Sequence, residues 1–96
     1  MTKHKIEIRY CTLCRWLLRT TWMAQELLTT FDGQIGEMSL QPDTGGVFDV
    51  FVNGKRIWCR KEAERFPDIK ELKQLVRDEI DPDKDLGHSD RKTETS

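Results

Sequence analysis

Residues 5–10 alternate in character. Ile6, Ile8 and Tyr10 are apolar, and Lys5, Glu7 and Arg9 between them are charged. A period of two is that of a strand with one buried face. From about residue 13 to residue 31 the period becomes helical: Leu13, Leu17, Ala24, Leu27, Leu28 and Phe31 form a stripe, with Trp16 and Met23 at its edge. Asp32-Gly33 supplies the stop, because glycine tolerates the left-handed position beyond a helix. Thr12 or Cys11 stands where a helix cap belongs. That places Cys11 and Cys14 on the first turn.

Residues 34–40, with Ile35, Met38 and Leu40, read as a weaker strand, and 41–46 as a loop rich in Pro, Asp and Gly. Strand, helix and strand make a crossover unit, so the first two strands should run parallel. Residues 47–52 and 55–60 flank Asn53-Gly54, a strong hairpin signal. A two-residue turn would set Val52 against Lys55, Val50 against Ile57, and Phe48 against Cys59. One face then carries Phe48, Val50, Val52, Ile57 and Cys59; the other carries Phe51 and Trp58 among polar residues. Residues 61–67 form a polar connection. Asp68 and Glu71 make a capping box, and Ile69, Leu72, Val76 and Ile80, helped by Leu75, give a second helix its buried stripe. Pro82 ends that helix.

The order is β-α-β-β-β-α. The expectation is an α/β (α+β) domain, a four-stranded mixed sheet with two helices on one face. Its other face would be more polar. Residues 1–81 form the domain, and 82–96 a polar, disordered tail.

Composition narrows the class. The 96 residues suit one domain. Sixteen basic and 17 acidic residues nearly cancel, which argues against nucleic acid as a partner. No stretch has the apolar run of a signal peptide or membrane span, so the expected setting is the cytoplasm. Three cysteines are an odd number, unlike a secreted disulfide framework.

Cys11-Thr12-Leu13-Cys14 is the chemistry-bearing motif. The reactive form of cysteine is the thiolate, and a helix start stabilises it with unpaired N–H groups and positive partial charge. Arg9 and Arg15 are close enough in sequence to help. Two intervening residues let one sulfur resolve a mixed disulfide formed by the other. A CxxC between a strand and a helix is the context of a thioredoxin-like redox site. Two packed cysteines, or a metal pair, are the competing readings.

Tyr10-Cys11-Thr12-Leu13-Cys14 after a short strand, together with Gly46-Val47-Phe48-Asp49-Val50-Phe51-Val52 and the turn Asn53-Gly54-Lys55, resembles the selenoprotein W-like (Rdx) family. The resemblance runs from about residue 5 to residue 80. It implies a thioredoxin-like fold, Cys11 and Cys14 as the redox pair, and a role in redox homeostasis or glutathione-linked antioxidant defence. Glutathione would be a co-substrate, with no bound cofactor. Selenium-containing members carry selenocysteine at the second motif position, which is Cys14 here. Helix-terminus physics favours Cys11 as the first nucleophile, and the family's selenium favours Cys14.

Thioredoxins place a cis-proline beside their cysteines. This chain has Thr44-Gly45-Gly46 there, and the Gly45-Gly46 backbone is a candidate for substrate contact. Leu18 and Trp22 lie opposite the core stripe and are candidates for a partner-protein or self-association surface. Cys59 reads as a buried small hydrophobe. His4 and His88 lack metal-ligand spacing to the cysteines and read as solvated, so no metal site is assigned. Protein thiols or glutathione are the expected partners. The alternative is a redox-sensitive or metal-binding interaction module without turnover.

Overall fold

The computed structural model describes residues 3–87. Its elements are β1 (His4–Cys11), α1 (Leu17–Thr30), β2 (Ile35–Asp43), β3 (Phe48–Val52), β4 (Lys55–Cys59), α2 (Arg60–Ala63) and α3 (Ile69–Ile80). The strands lie in the order β2-β1-β3-β4. β1 is parallel to β2 and antiparallel to β3, and β3 is antiparallel to β4. This is the expected four-stranded mixed sheet of a thioredoxin-like α+β domain. The one-turn α2 stands where a plain connection was expected.

Alternation decides which face is covered. Ile6, Ile8 and Tyr10 of β1 and Phe48, Val50 and Val52 of β3 are all buried. They pack with Met23, Ala24 and Leu27 of α1 and Leu72 and Val76 of α3. Both long helices therefore sit on one side. The intervening positions Glu7, Arg9 and Phe51 stay partly exposed on the other.

α1 begins later than its periodicity predicts. Residues 12–15 form a turn closed by Arg15 N–H donating to the Thr12 carbonyl at 3.1 Å. Arg15 has φ 63°, which no right-handed helix can carry. The cap residue is Trp16, not Thr12 or Cys11. The buried stripe turns accordingly. Leu13, Leu17 and Leu28 are 76%, 52% and 42% exposed, while Thr20, Met23, Ala24, Leu27 and Phe31 are buried. Thr20 can occupy that face because its hydroxyl donates to the Trp16 carbonyl at 2.8 Å.

β2 runs through Pro42 to Asp43, past the expected end at residue 40. Proline is tolerated there because β2 is an edge strand. The hairpin turn has positive φ at Asn53 and Gly54, as its sequence demands. Beyond it, however, the register slips between Val50 and Phe51. Val52 faces Lys55 and Phe51 faces Arg56, but Val50 faces Trp58 and Asp49 faces Cys59. Ile57 is the extra residue of a bulge. Trp58 consequently moves to the helix side, where it packs against the core. Cys59 moves to the open face opposite Asp49 and is partly exposed, not buried beside Phe48.

α3 starts as expected, with both capping-box bonds of Asp68 and Glu71 made. Past its end the chain folds back. Leu86 packs against the core, and Arg77 Nη1 donates to the Lys84 carbonyl at 2.9 Å. Residues 88–96, with His88, lie outside the described residues.

Candidate functional site

Cys11 is the last residue of β1 and belongs to the sheet. Its strand neighbour is Asp43, and Thr12 N–H donates to the Asp43 carbonyl at 2.9 Å. The turn then brings Cys14 back over Cys11. The two are joined as a disulfide, with Cα atoms 5.3 Å apart. Cys14 N–H points at Cys11 Sγ, 3.2 Å away.

The two sulfurs are not equivalent. Cys11 is 1% exposed, whereas Cys14 is partly exposed. An incoming thiolate therefore meets Cys14. Attack there expels Cys11 as a thiolate, and the Cys14 N–H is aligned to hold that charge. The helix start is not the source of this stabilisation. α1 begins at Leu17, and dipole effects fade beyond the first turn. The donor that points at Cys11 Sγ is the turn amide of Cys14 instead.

Of the two arginines expected to assist, Arg9 is occupied elsewhere. Its Nε is 3.9 Å from Asp43 Oδ2 and its guanidinium lies over Phe51, on the open face. Arg15 is exposed within the turn. Arg19, Arg60 and Lys61 follow at the same end of the sheet, and none of the four is ion-paired among the described residues.

The start of α1 is held by a cluster with no sequence signature. Trp16 meets Phe66 edge-on at 4.8 Å, and Phe66 meets Phe48 at 5.1 Å. The Arg60 guanidinium lies against both Trp16 and Phe66, at 4.9 and 4.8 Å, and Arg19 lies 4.1 Å from the Phe66 ring centre. The contacts of Trp16 with Phe66 and Arg60, and of Arg19 with Phe66, tie residues over forty positions apart. Only tertiary structure brings them together, which is why sequence reading missed Phe66, Arg19 and Arg60.

One acid was also missed. Asp49, on the open face, is 7% exposed, and its Oδ1 has no hydrogen-bond partner among the described residues. It reads in sequence as one more polar position on a solvated face.

Gly45 and Gly46, with φ of 79° and 74°, follow β2 at the end of the sheet that carries Cys11. Among the described residues, a side chain at Gly46 would meet nothing within 4 Å; one at Gly45 would approach Lys61 Nζ. Leu18 is 83% exposed and Trp22 46% exposed on the outer side of α1. His4 is remote, near Asn53 at the opposite end. No group of three potential metal ligands occurs among the described residues, and no helix there is long and apolar enough to cross a membrane.

Residues 5–78 match the Rdx family. A selenoprotein W-related protein from Vibrio cholerae, of known crystal structure, is 54% identical, with TM-score 0.81, over 83% of this chain and all of that one. A Bordetella parapertussis protein, also a crystal structure, is 52% identical, with TM-score 0.80, over 82% of this chain and all of its own. No curated protein sequence matches. Motif, fold and matched length agree: the chain belongs to the Rdx family, and the Cys11–Cys14 disulfide supports a redox-type role.

Proposed function

We propose that this chain is a thiol–disulfide exchange protein in which Cys14 is the attacking sulfur and Cys11 the resolving one. The asymmetry of exposure carries the reading: Cys11 is 1% exposed beneath a turn amide, and Cys14 faces outward. In the reduced form the Cys14 thiolate attacks a partner disulfide and releases one partner thiolate. Cys11 then attacks Cys14 Sγ, forming the internal disulfide and releasing the second partner thiolate. Two electrons pass to the partner. Two molecules of a thiol such as glutathione return the pair to the dithiol and become one disulfide. The selenium position of the family falls on Cys14, in agreement.

Glutathione or protein thiols are the partners that suit the surroundings. Arg15, Arg19, Arg60 and Lys61 favour a ligand with carboxylates. The backbone at Gly45 and Gly46 is open to close approach. Exposed Leu13, Leu17, Leu18 and Trp22 give a protein partner an apolar rim beside the sulfurs. Such chemistry belongs in a reducing cytoplasm, in redox homeostasis.

The test is thiol trapping with mass readout across a glutathione series. A reversible Cys11–Cys14 disulfide is expected, with a potential of roughly −120 to −270 mV. Cys11→Ser should accumulate a stable glutathione adduct on Cys14, and Cys14→Ser should form almost none. An adduct confined to Cys11 would reverse the assignment. A disulfide that cycles without passing electrons to any protein or glutathione disulfide would leave a redox-sensitive interaction module as the function.

A further inference from the structure

We propose that Asp49 is the proton acceptor for Cys11 when Cys11 resolves the mixed disulfide, an inference that rests on the exchange reading above. In the disulfide form Cys11 is 1% exposed. If it is a thiol, its proton must leave as the new bond to Cys14 forms. A buried sulfur needs a base built into the fold.

Asp49 is placed for this. Arg9 of β1 lies directly opposite it across β1 and β3. Cys11, two residues on from Arg9, shares Arg9's side of the sheet, so Cys11 and Asp49 are diagonal neighbours on the open face. Such diagonals are about 7–8 Å apart at Cα, with their Cβ atoms somewhat closer. Burying a carboxylate oxygen with no partner is costly, and a catalytic role is one reason a fold carries such an atom. Asp49 Oδ1 is such an atom.

Arg9 is drawn off to Asp43 and Phe51. Glu7, on the other diagonal, accepts from Gln41 Nε2 at 2.8 Å. Arg56 holds Glu62 at 2.8 Å. Lys61, on the α2 turn packed against β3, lies near Gly45. Asp49 itself is in no ion pair among the described residues. Cys59, directly opposite on β4, is the one other thiol facing it.

The step balances. Cys11 S–H gives its proton to an Asp49 oxygen, and its sulfur electron pair forms the bond to Cys14 Sγ. The bond from Cys14 Sγ to the partner breaks, and the partner leaves as a thiolate. In the reverse direction the protonated Asp49 returns the proton to Cys11.

The experiment uses the full chain with Cys59→Ala, which removes the competing thiol. The reduced protein is mixed with a chromogenic aromatic disulfide. One coloured thiolate is released as Cys14 is labelled, and a second as Cys11 resolves the adduct. The rate of the second release is followed between about pH 6 and about pH 8. The expected wild-type rate is nearly level, and the Asp49→Asn rate is slower by about a hundredfold at neutral pH, the low end for a positioned base. The variant's rate should climb about tenfold per pH unit, as simple thiolate attack does. Loss of less than tenfold, or an equal loss at every pH, overturns the proposal. So does a wild-type rate climbing tenfold per unit, which needs no folded variant. Absence of a second release from the wild-type pair, or its persistence in Cys11→Ser, sinks the exchange reading itself. A normal second release that ignores Asp49 sinks only the role of Asp49.

Discussion

At the scale of single residues, chemistry was easier to read than conformation. Cys11 and Cys14 stand out by spacing alone. What spacing hides is that Arg15 adopts φ 63° and so breaks the helix before it can reach them. Arginine carries no warning of a left-handed backbone, as Gly45-Gly46 or Asn53-Gly54 do. The cost of that conformation for a residue with a Cβ is about 1–2 kcal/mol. Arg15→Gly should therefore leave the oxidised protein as stable as wild type or slightly more so. Arg15→Val, with a branched Cβ pressed against the carbonyl, should lose about 1–2 kcal/mol beyond wild type. Urea midpoints of the three proteins check this; a stable Arg15→Val would mean that the turn relaxes to another shape. Asp49 escaped notice for a related reason. Burial of a polar residue on a nominally solvated face depends on neighbours in two other strands, which no local pattern encodes.

At the scale of elements, α3 was the most legible and α1 the least. The reason is capping. α3 opens on a side-chain device written in four consecutive residues, Asp68 to Glu71. α1 opens on Trp16 with no side-chain cap, held instead by rings and guanidinium groups from α2 and beyond. The hairpin lies between these cases: its turn is plain in Asn53-Gly54, but the bulge at Ile57 is not, and every residue after it changes face. The α3 start also carries the clearest electrostatic signal. Arg65 Nη1 and Nη2 donate to Glu71 Oε1 and Oε2 at 2.9 and 2.8 Å. That hydrogen bonding, first among several causes, holds the Glu71 carboxyl below its ordinary value, and the Arg65 guanidinium is raised in turn. A group lowered in the folded state stabilises fully above its unfolded pKa, about 4.3. It loses that contribution as pH falls through the folded value. Glu71→Gln keeps an acceptor for the cap but not the titration. Its stability should fall less than that of wild type between pH 6 and pH 3, by urea midpoints. Because the pair is largely exposed, the difference should shrink in high salt. Equal losses in both proteins would show that Glu71 is ordinary.

At the scale of the whole molecule, the decisive fact is that apolar residues are spent in two places. Alternation in β1 and β3 announced a sheet with one covered face, and the fold follows it. The helical periodicity of α1 announced one stripe, but the helix carries two. One, from Thr20 to Phe31, faces the sheet; the other, with Leu17, Leu18 and Trp22, is exposed on the helix that follows the disulfide. Sequence marks both as apolar, and only the position of the Arg15 turn decides which side is inward. The same substitution should therefore have opposite readouts at two leucines. Leu72, fully buried in α3, joins that helix to the sheet. Leu72→Ala should cost about 2–5 kcal/mol, a large part of a stability on the order of 5–15 kcal/mol. It should leave exchange by the folded fraction unchanged. Leu18, 83% exposed, should shift stability by no more than about 0.5 kcal/mol when changed to Ala. If the outward stripe receives a protein partner, Leu18→Ala should slow exchange with protein disulfides while sparing exchange with glutathione disulfide. Urea unfolding and the two exchange rates, measured side by side, separate these roles. An equal slowing toward both disulfides would place Leu18 in the support of the Cys14 turn, and no slowing toward either would leave the outward stripe without a part in exchange.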